Sequence, residues 1–519
     1  MITALLIDTT GIQDYIFSGN SLAENLGASY IIKGGIKNLL ETHIKQGEKD
    51  FTNYTIEMKY FGGGNSLVTF TGNQNGSEKQ VPLHLVNEFV RNFSLDCLLY
   101  FPGLKPAFAI KERYLKGENG FLISHKELHR NLQHNKQQGQ LPRVPYKSGA
   151  TADCPLSGEA ASMYNEHEKA YISSVSHLKL AESVKAEVEI REIYKLPDPY
   201  QFTKELSKLG QPADAGYIAV VHIDGNGMGE LFRNQQSLTD LIKLSGKVDD
   251  AIKYAAKELI NMVTDTIMPE ITGNNDLKFS QSGKNPVCLP IRPIILSGDD
   301  ITFVCEARLA MRLTAYFIHC FVHSMSKKDT NGLSLDIGAC AGIAIVKEKF
   351  PFYKAYQEAA ELCKQAKHTA RQVKTVLDCE VSLLSWNIIS RNQEQQAVQP
   401  ELPDRSGLWQ VLPGQAITAP GIHGTVESLI STAKEFEKWP KSQLIRLRNN
   451  LYEEDAQSFE ALRIKAKEKS WGKGDKKGEE WKSKVFELLN DFSKPTRLLL
   501  KDMIEIIDFY PSFKHDTTP

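Results

Sequence analysis

One pattern occurs twice in this chain: an apolar strand that ends in Asp, then a helix, then a hairpin with a Gly-rich tip. The first copy opens with ITALLID, which stops at Asp8, and a helical stretch follows from about Gln13 to His43. MKYFGGGNSLVTF places three glycines between two β-rich halves, a hairpin signal. VPLHLVNEFVRNF reads as a helix, and CLLYF and PAFAIKE read as strand material. The second copy opens with GYIAVVHID, ending at Asp224, and continues with a helical region from Ser237 to Met268. VCLPIRPIILSGDDITFVCE is its hairpin, ARLAMRLTAYFIHCFVHSM its buried helix, and LSLDIGACAGIAIV its last strand. Each copy follows a β-α-β-β-α-β plan. The fold class expected is therefore α+β, with two ferredoxin-like units.

The 519 residues leave room for more than this pair. At about 100–200 residues per domain, three or four domains are expected. We place the first unit at 1–115, a polar helical connector at 116–210, the second unit at 211–375 and a helical C-terminal domain at 376–519. A run at 465–484, KAKEKSWGKGDKKGEEWKSK, is rich in Lys and Gly and reads as a basic loop. Over the whole chain, Lys+Arg (62) and Asp+Glu (63) balance, which argues against a general nucleic-acid coat. Hydrophobic residues at 41% exclude a wholly disordered chain. No apolar run approaches the roughly 18 residues of a membrane span, and the N-terminus reads as a strand, so no membrane association is expected. The eight Cys include no Cys-x-x-Cys pair, which points to reduced, cytoplasmic surroundings.

The chemistry concentrates in the second unit. Asp224 ends a strand, and Asp299-Asp300 sit at a tight hairpin tip. On the expected sheet the first strand lies beside the hairpin, so the three carboxylates converge. Clustered carboxylates repel one another unless cations neutralise them, the arrangement that Mg²⁺ or Mn²⁺ needs. Two such ions can activate a ribose hydroxyl and stabilise in-line attack on an α-phosphate. Gly298 lets backbone approach a phosphate, and Gly225, Asn226 and Gly227 open toward a helix whose N–H groups suit phosphates.

HIDGNGMG and LSGDDITFV resemble the catalytic palm of the large polymerase/cyclase subunit of type III CRISPR complexes, or a stand-alone relative of it. IQDYIFSGNSLAENLGASYII and YFGGGNSLVTF resemble the first palm of the same family. The resemblance covers roughly residues 1–375 and implies conversion of ATP to cyclic oligoadenylates in antiviral defence. It implies Asp224 and Asp300 as metal ligands and Asp299 as a further ligand or an aid to deprotonation. The Ile223 carbonyl would complete a coordination shell. Lys367 and Arg371, four apart on one helix face, would hold the triphosphate. Ser297 replaces the first Gly of the family's Gly-Gly-Asp-Asp, and Asn226 stands where many members carry a second Asp. Guide RNA, target RNA and other effector subunits are the implied partners, with a homodimer if the chain stands alone.

Three departures from the family shape the expectation. The first palm keeps Asp8 but carries Gly62-Gly63-Gly64-Asn65 at its tip, so it should bind no metal pair; Gly63, Gly64 and Asn65 would at most complete a nucleotide pocket. The sequence begins at the first palm, without the family's His-Asp nuclease domain, and His515-Asp516 lies in the tail, so no DNase is expected. In ADCPLSGEA, Ser157 stands where a zinc module's second Cys would be, so no zinc is expected. Two rival readings stay open: a cyclase making a cyclic dinucleotide, with guanine as a candidate base, and a non-catalytic RNA-binding scaffold.

Overall fold

The computed structural model describes residues 2–19, 21–50, 53–74, 77–115, 120–138, 151–209, 216–273, 287–298, 300–329, 332–389, 407–411, 422–436, 439, 441–452 and 494–507. Asp299, the basic run 465–484 and His515-Asp516 lie outside the described residues.

The chain opens with β1 (Ile2–Thr10), α1 (Ile12–Phe17), α2 (Leu22–Tyr30) and α3 (Ile36–Asp50). The hairpin β2 (Tyr54–Gly62) and β3 (Asn65–Gln74) follows, with a short β4 (Ser77–Lys79) against β3, then α4 (Leu83–Tyr100) and β5 (Lys105–Tyr114). The sheet order is β2-β3-β1-β5, antiparallel throughout. Successive β1 side chains point to opposite faces. Leu5 and Ile7 pack with Leu26, Phe89 and Phe93 on one side, while Ala4 and Leu6 pack with Phe121, Leu128 and Leu132 of α5 (Phe121–Gln138) on the other. So α5, expected in the connector, covers the second face of the first palm. It reads as polar because only a narrow stripe of it is buried. CLLYF is likewise corrected: it ends α4, with Leu98 and Leu99 exposed, and is not a strand.

Next come a small hairpin, β6 (Met163–Asn165) with β7 (Ala170–Ile172), then α6 (Ser174–Tyr194) and β8 (Tyr200–Gln201). The backbones of α2 and α6 touch: a Cβ added at Gly27 would lie 1.7 Å from the Lys179 carbonyl oxygen, so only glycine fits.

The second palm comprises β9 (Tyr217–Gly225), α7 (Met228–Arg233), α8 (Leu238–Met262), α9 (Met268–Gly273), β10 (Val287–Cys288), β11 (Ile291–Ser297), β12 (Asp300–Glu306), α10 (Ala310–Ser326), β13 (Ala339–Lys347) and α11 (Phe352–Leu377). Its core order, β11-β12-β9-β13, repeats that of the first palm. The sheet does not stop near 375, however. β14 (Leu383–Ile388) pairs parallel to β13, and β15 (Leu408–Gln410) and β16 (Ile422–Thr425) extend it to seven strands. Strands of three and four residues are too short to show a period, so the 376–519 segment reads as helical from sequence alone.

Helices α12 (Val426–Phe436) and α13 (Lys441–Tyr452) and a last helix, Lys494–Ile506, pack beyond the sheet. Asp502 ties that last helix to the sheet edge. Its Oδ2 accepts from Gly407 N at 3.1 Å and Trp409 Nε1 at 2.9 Å, and lies 2.9 Å from His423 Nδ1. The class is α+β. Among the described residues no helix is long and apolar enough to cross a membrane.

Candidate nucleotide and metal site

Strand register builds the site. Asp300 at the start of β12 lies opposite Asp224 at the end of β9, and Ser297 lies opposite Asp300. Gly298, which leads out of β11, has φ +65°, a conformation that favours glycine. The first palm repeats the register with different chemistry. Asn65 lies opposite Asp8, and Gly63 and Gly64 make the turn at φ +60° and +76°. Asn65 thus occupies the place of Asp300. The two tips meet, since a Cβ added at Gly298 would lie 3.7 Å from Gly63 Cα.

Each strand-end aspartate is met by a lysine from the helix that follows its palm's fourth strand. Lys367 Nζ, on α11, stands 2.6 Å from Asp224 Oδ2. Lys136, on α5, bonds Asp8 Oδ2. Burial pushes the Asp8 carboxyl above its ordinary value, and Lys136 only partly offsets this. His222 adds a group that the sequence does not single out. Its Nδ1 lies 3.2 Å from Asp300 Oδ1 and 3.3 Å from Thr302 Oγ1. Burial alone would lower the imidazole, but Asp300 and Asp224 outweigh it and hold it above its ordinary value.

Gln13 and Asp14 of α1 were also missed. Gln13 Nε2 donates to Asp300 Oδ2 at 3.3 Å across the palm interface. Both residues border two cavities. One, of about 650 Å³, lies between the palms and reaches Gly62, Gly63, Asn65, Gly298 and Asp300. The other, of about 760 Å³, runs along α11 and reaches His222, Asp224, Lys367 and Arg371. The carboxylate pair therefore sits where the two spaces meet. Among the described residues, no three His, Cys, Asp or Glu side chains form a metal cluster. The pair still suits a hard cation. Its oxygens are hard acceptors, with Asp300 Oδ1 facing His222 Nδ1 at 3.2 Å and Asp224 Oδ2 facing Lys367 Nζ at 2.6 Å, contacts that a cation would replace.

Other expected residues fall elsewhere. Asn226, expected on the nucleotide, lines neither cavity. Its Nδ2 donates to Val381 O at 2.9 Å and its backbone N–H to Gly338 O at 2.9 Å, so it staples the end of β9 to neighbouring loops. Gly225 ends β9, and Gly227, at φ +66°, caps α7; Met228 and Gly229, just beyond, line the inter-palm cavity. Ile223 is a core residue between Ile301 and Ala341. In the zinc-module remnant, the Ser157 hydroxyl lies 3.3 Å from that of Ser173. Burial would raise the Cys154 thiol, but the Ser157 hydroxyl and backbone N–H groups bring it down to about 7.

The paired aspartates yield a prediction. Asp8→Asn should leave Lys136 without its charge partner and cost about 1–3 kcal/mol of stability. Urea unfolding checks this; an unmoved midpoint would show that the Asp8–Lys136 pair does not hold α5 to the sheet.

Residues 217–374 match the Cas10/Cmr2 second palm domain. No curated protein matches the chain. Among solved structures, a Csm1–Csm4 cassette in complex with pppApA is similar over 98% of this chain and 69% of that one, with 15% identity and a TM-score of 0.50. A Csm1–Csm4 cassette in complex with cA4 shares 16% identity over 71% of this chain, with a TM-score of 0.41. Csm1 of T. onnurineus shares 16% over 73%, with a TM-score of 0.42. This chain spans only about half of these last two, 53% and 52%. Residues 217–374 are therefore a palm of the Cas10/Cmr2 second-palm type, set in a chain whose fold is similar to that of the Csm1–Csm4 cassette.

Proposed function

We propose that this chain is a metal-dependent nucleotidyltransferase that joins ATP into cyclic oligoadenylates in antiviral defence. The observation that carries the reading is the register pairing of Asp300 with Asp224, at a hairpin tip that opens on two cavities. Asp224, Asp300 and the adjacent Asp299 would hold two Mg²⁺ or Mn²⁺ ions, with the Ile223 carbonyl as a further oxygen ligand. Bound ions would lower the pKa of the attacking ribose hydroxyl and neutralise charge on the α-phosphate. Lys367 and Arg371, on the wall of the α11 cavity, would hold the triphosphate. The backbone at Gly298 and Ser297 would approach a phosphate, and Gly63, Gly64 and Asn65 would close the nucleoside end from the first palm. The solved relative that carries pppApA, a linear adenylate with a 5′-triphosphate, supports adenine as the base. Other effector subunits, guide RNA and target RNA are the proposed partners.

Incubating the purified protein with each nucleoside triphosphate and Mg²⁺ or Mn²⁺, with mass spectrometry of the products, tests the reading. No nucleotide-joining with any of the four would sink it. The basic run bears on the RNA part. Neutralising Lys473, Lys476 and Lys477 together should weaken RNA binding and make its salt dependence shallower, by about 0.7 of a log–log unit per lost single-strand phosphate contact. An unchanged slope would remove this segment from the RNA path and leave the palm assignment standing.

A further inference from the structure

Helix α1 is only six residues long, yet it carries a side chain of the first palm, Gln13, to a carboxylate of the second, Asp300. Its two faces do different things. Gln13 and Asp14 are exposed and border both cavities, while Tyr15, Ile16 and Phe17 are buried. Phe17 stacks on Tyr356 of α11, with ring centroids 3.8 Å apart, and Tyr356 in turn meets the edge of His222 at 5.5 Å. From the other side, Lys179 of α6 closes on the end of the helix. Its Nζ donates to the Tyr15 carbonyl at 2.5 Å and to Ser18 Oγ at 2.8 Å, and sits 4.3 Å from the centre of the Tyr15 ring. Lys179 is 1% exposed, and so is Glu24, whose carboxyl burial pushes up and the Lys179 charge partly restores. A buried ammonium spent on a carbonyl and a hydroxyl is costly unless the geometry it fixes matters.

We propose that Gln13 is a positioning residue for nucleotidyl transfer, and that Lys179 sets it by locking α1. The Gln13 amide takes Oδ2 of Asp300 and Oδ1 faces His222 Nδ1 at 3.2 Å, so the two contacts together fix the plane of the carboxylate. A side chain of the palm that lacks the acidic tip thereby orients the carboxylate of the palm that has it. A six-residue helix has too few internal hydrogen bonds to hold its own place, so its position is set by what grips it. Among the described residues it is gripped by the Phe17–Tyr356 stack, with Phe352 5.8 Å from Phe17, and by the Lys179 ammonium.

This inference rests on the proposed nucleotidyl-transfer reading, and the test separates the two. Gln13→Leu, on an exposed face, should fold normally and lower kcat about tenfold, one unit of 1.4 kcal/mol. Affinity for a non-hydrolysable ATP analogue, measured by calorimetry without turnover, should stay within about twofold (0.4 kcal/mol). Lys179→Met should lower kcat similarly. The double variant should fall no further than either single one, because both act on one contact. Lys179→Arg, which keeps a donor, should recover part of the rate. Should Lys179→Met fail to fold, Ser18→Ala removes one of its acceptors and should lower kcat by a smaller factor, again not beyond the Gln13→Leu level when combined. A wild-type kcat in Gln13→Leu overturns the proposal, as do losses that multiply in the double variant. A wild-type protein that binds nucleotide but never joins it sinks the nucleotidyl-transfer reading, and this inference with it.

Discussion

Asp300→Asn is expected to keep its fold and lose product formation by about a thousandfold, the equivalent of about 4 kcal/mol of transition-state stabilisation. Asparagine preserves the shape of the side chain and the β12–β9 pairing but removes the charge that a cation needs. Asp224→Asn should lose a similar factor. Asp300→Asn should change stability little, because relief of the repulsion between two facing carboxylates offsets the weakened His222 contact. Asp224→Asn instead leaves Lys367 without its charge partner and should cost about 1–3 kcal/mol, as Asp8→Asn does for Lys136. The Asp299→Ala, Asp300→Ala double variant should be inactive. Product counts by mass spectrometry, beside thermal unfolding on the same samples, decide the matter. Near-wild-type turnover in any of these proteins would end the catalytic assignment.

Asp502→Ala should act on the opposite quantity. A carboxylate 1% exposed collects the Gly407 N–H, the Trp409 indole and the His423 ring. Truncation strands those donors in a buried place, at a cost of about 3–5 kcal/mol. Trp409 stacks near Trp386 of β14, with ring centroids 6.2 Å apart, so tryptophan fluorescence should report the change. Urea unfolding monitored this way is expected to move to lower denaturant. An unmoved midpoint would show that β15 and β16 hold to the sheet without the clamp.

The sequence discloses those parts of the molecule that are local. An apolar run ending in Asp, and a turn whose glycines need positive φ, are written within a dozen residues, so both palms and the Asp224/Asp300 pair were readable. His222 was not. It sits inside an apolar strand, and only the register with β12 turns it toward Asp300 and Thr302. Gln13 was further out of reach, since it contacts Asp300 over 287 residues of sequence and depends on how the palms dock. Asn226 has a long-range contact of the same kind. Its place near Asp224 is legible, but the carbonyl its amide donates to, at Val381, lies 155 residues on.

The meeting of the Gly63 and Gly298 tips has a consequence for how a ring can be made. Two identical palms facing each other would present two acidic pairs, and both bonds of a symmetric cyclic dinucleotide could form without anything moving. Here one tip is acidic and the other ends in Asn65, so on the proposed reading the chain has a single place where a phosphodiester bond can form. Each bond then requires the growing strand to shift by one nucleotide before the next, and closure requires its free 5′ end to return to the site where synthesis began. Ring size becomes a contest of rates, between advance of the linear strand and its closure, and not a dimension of the cavity. Anything that slows the return of the 5′ end, a bound partner above all, should enlarge the ring without touching Asp224 or Asp300.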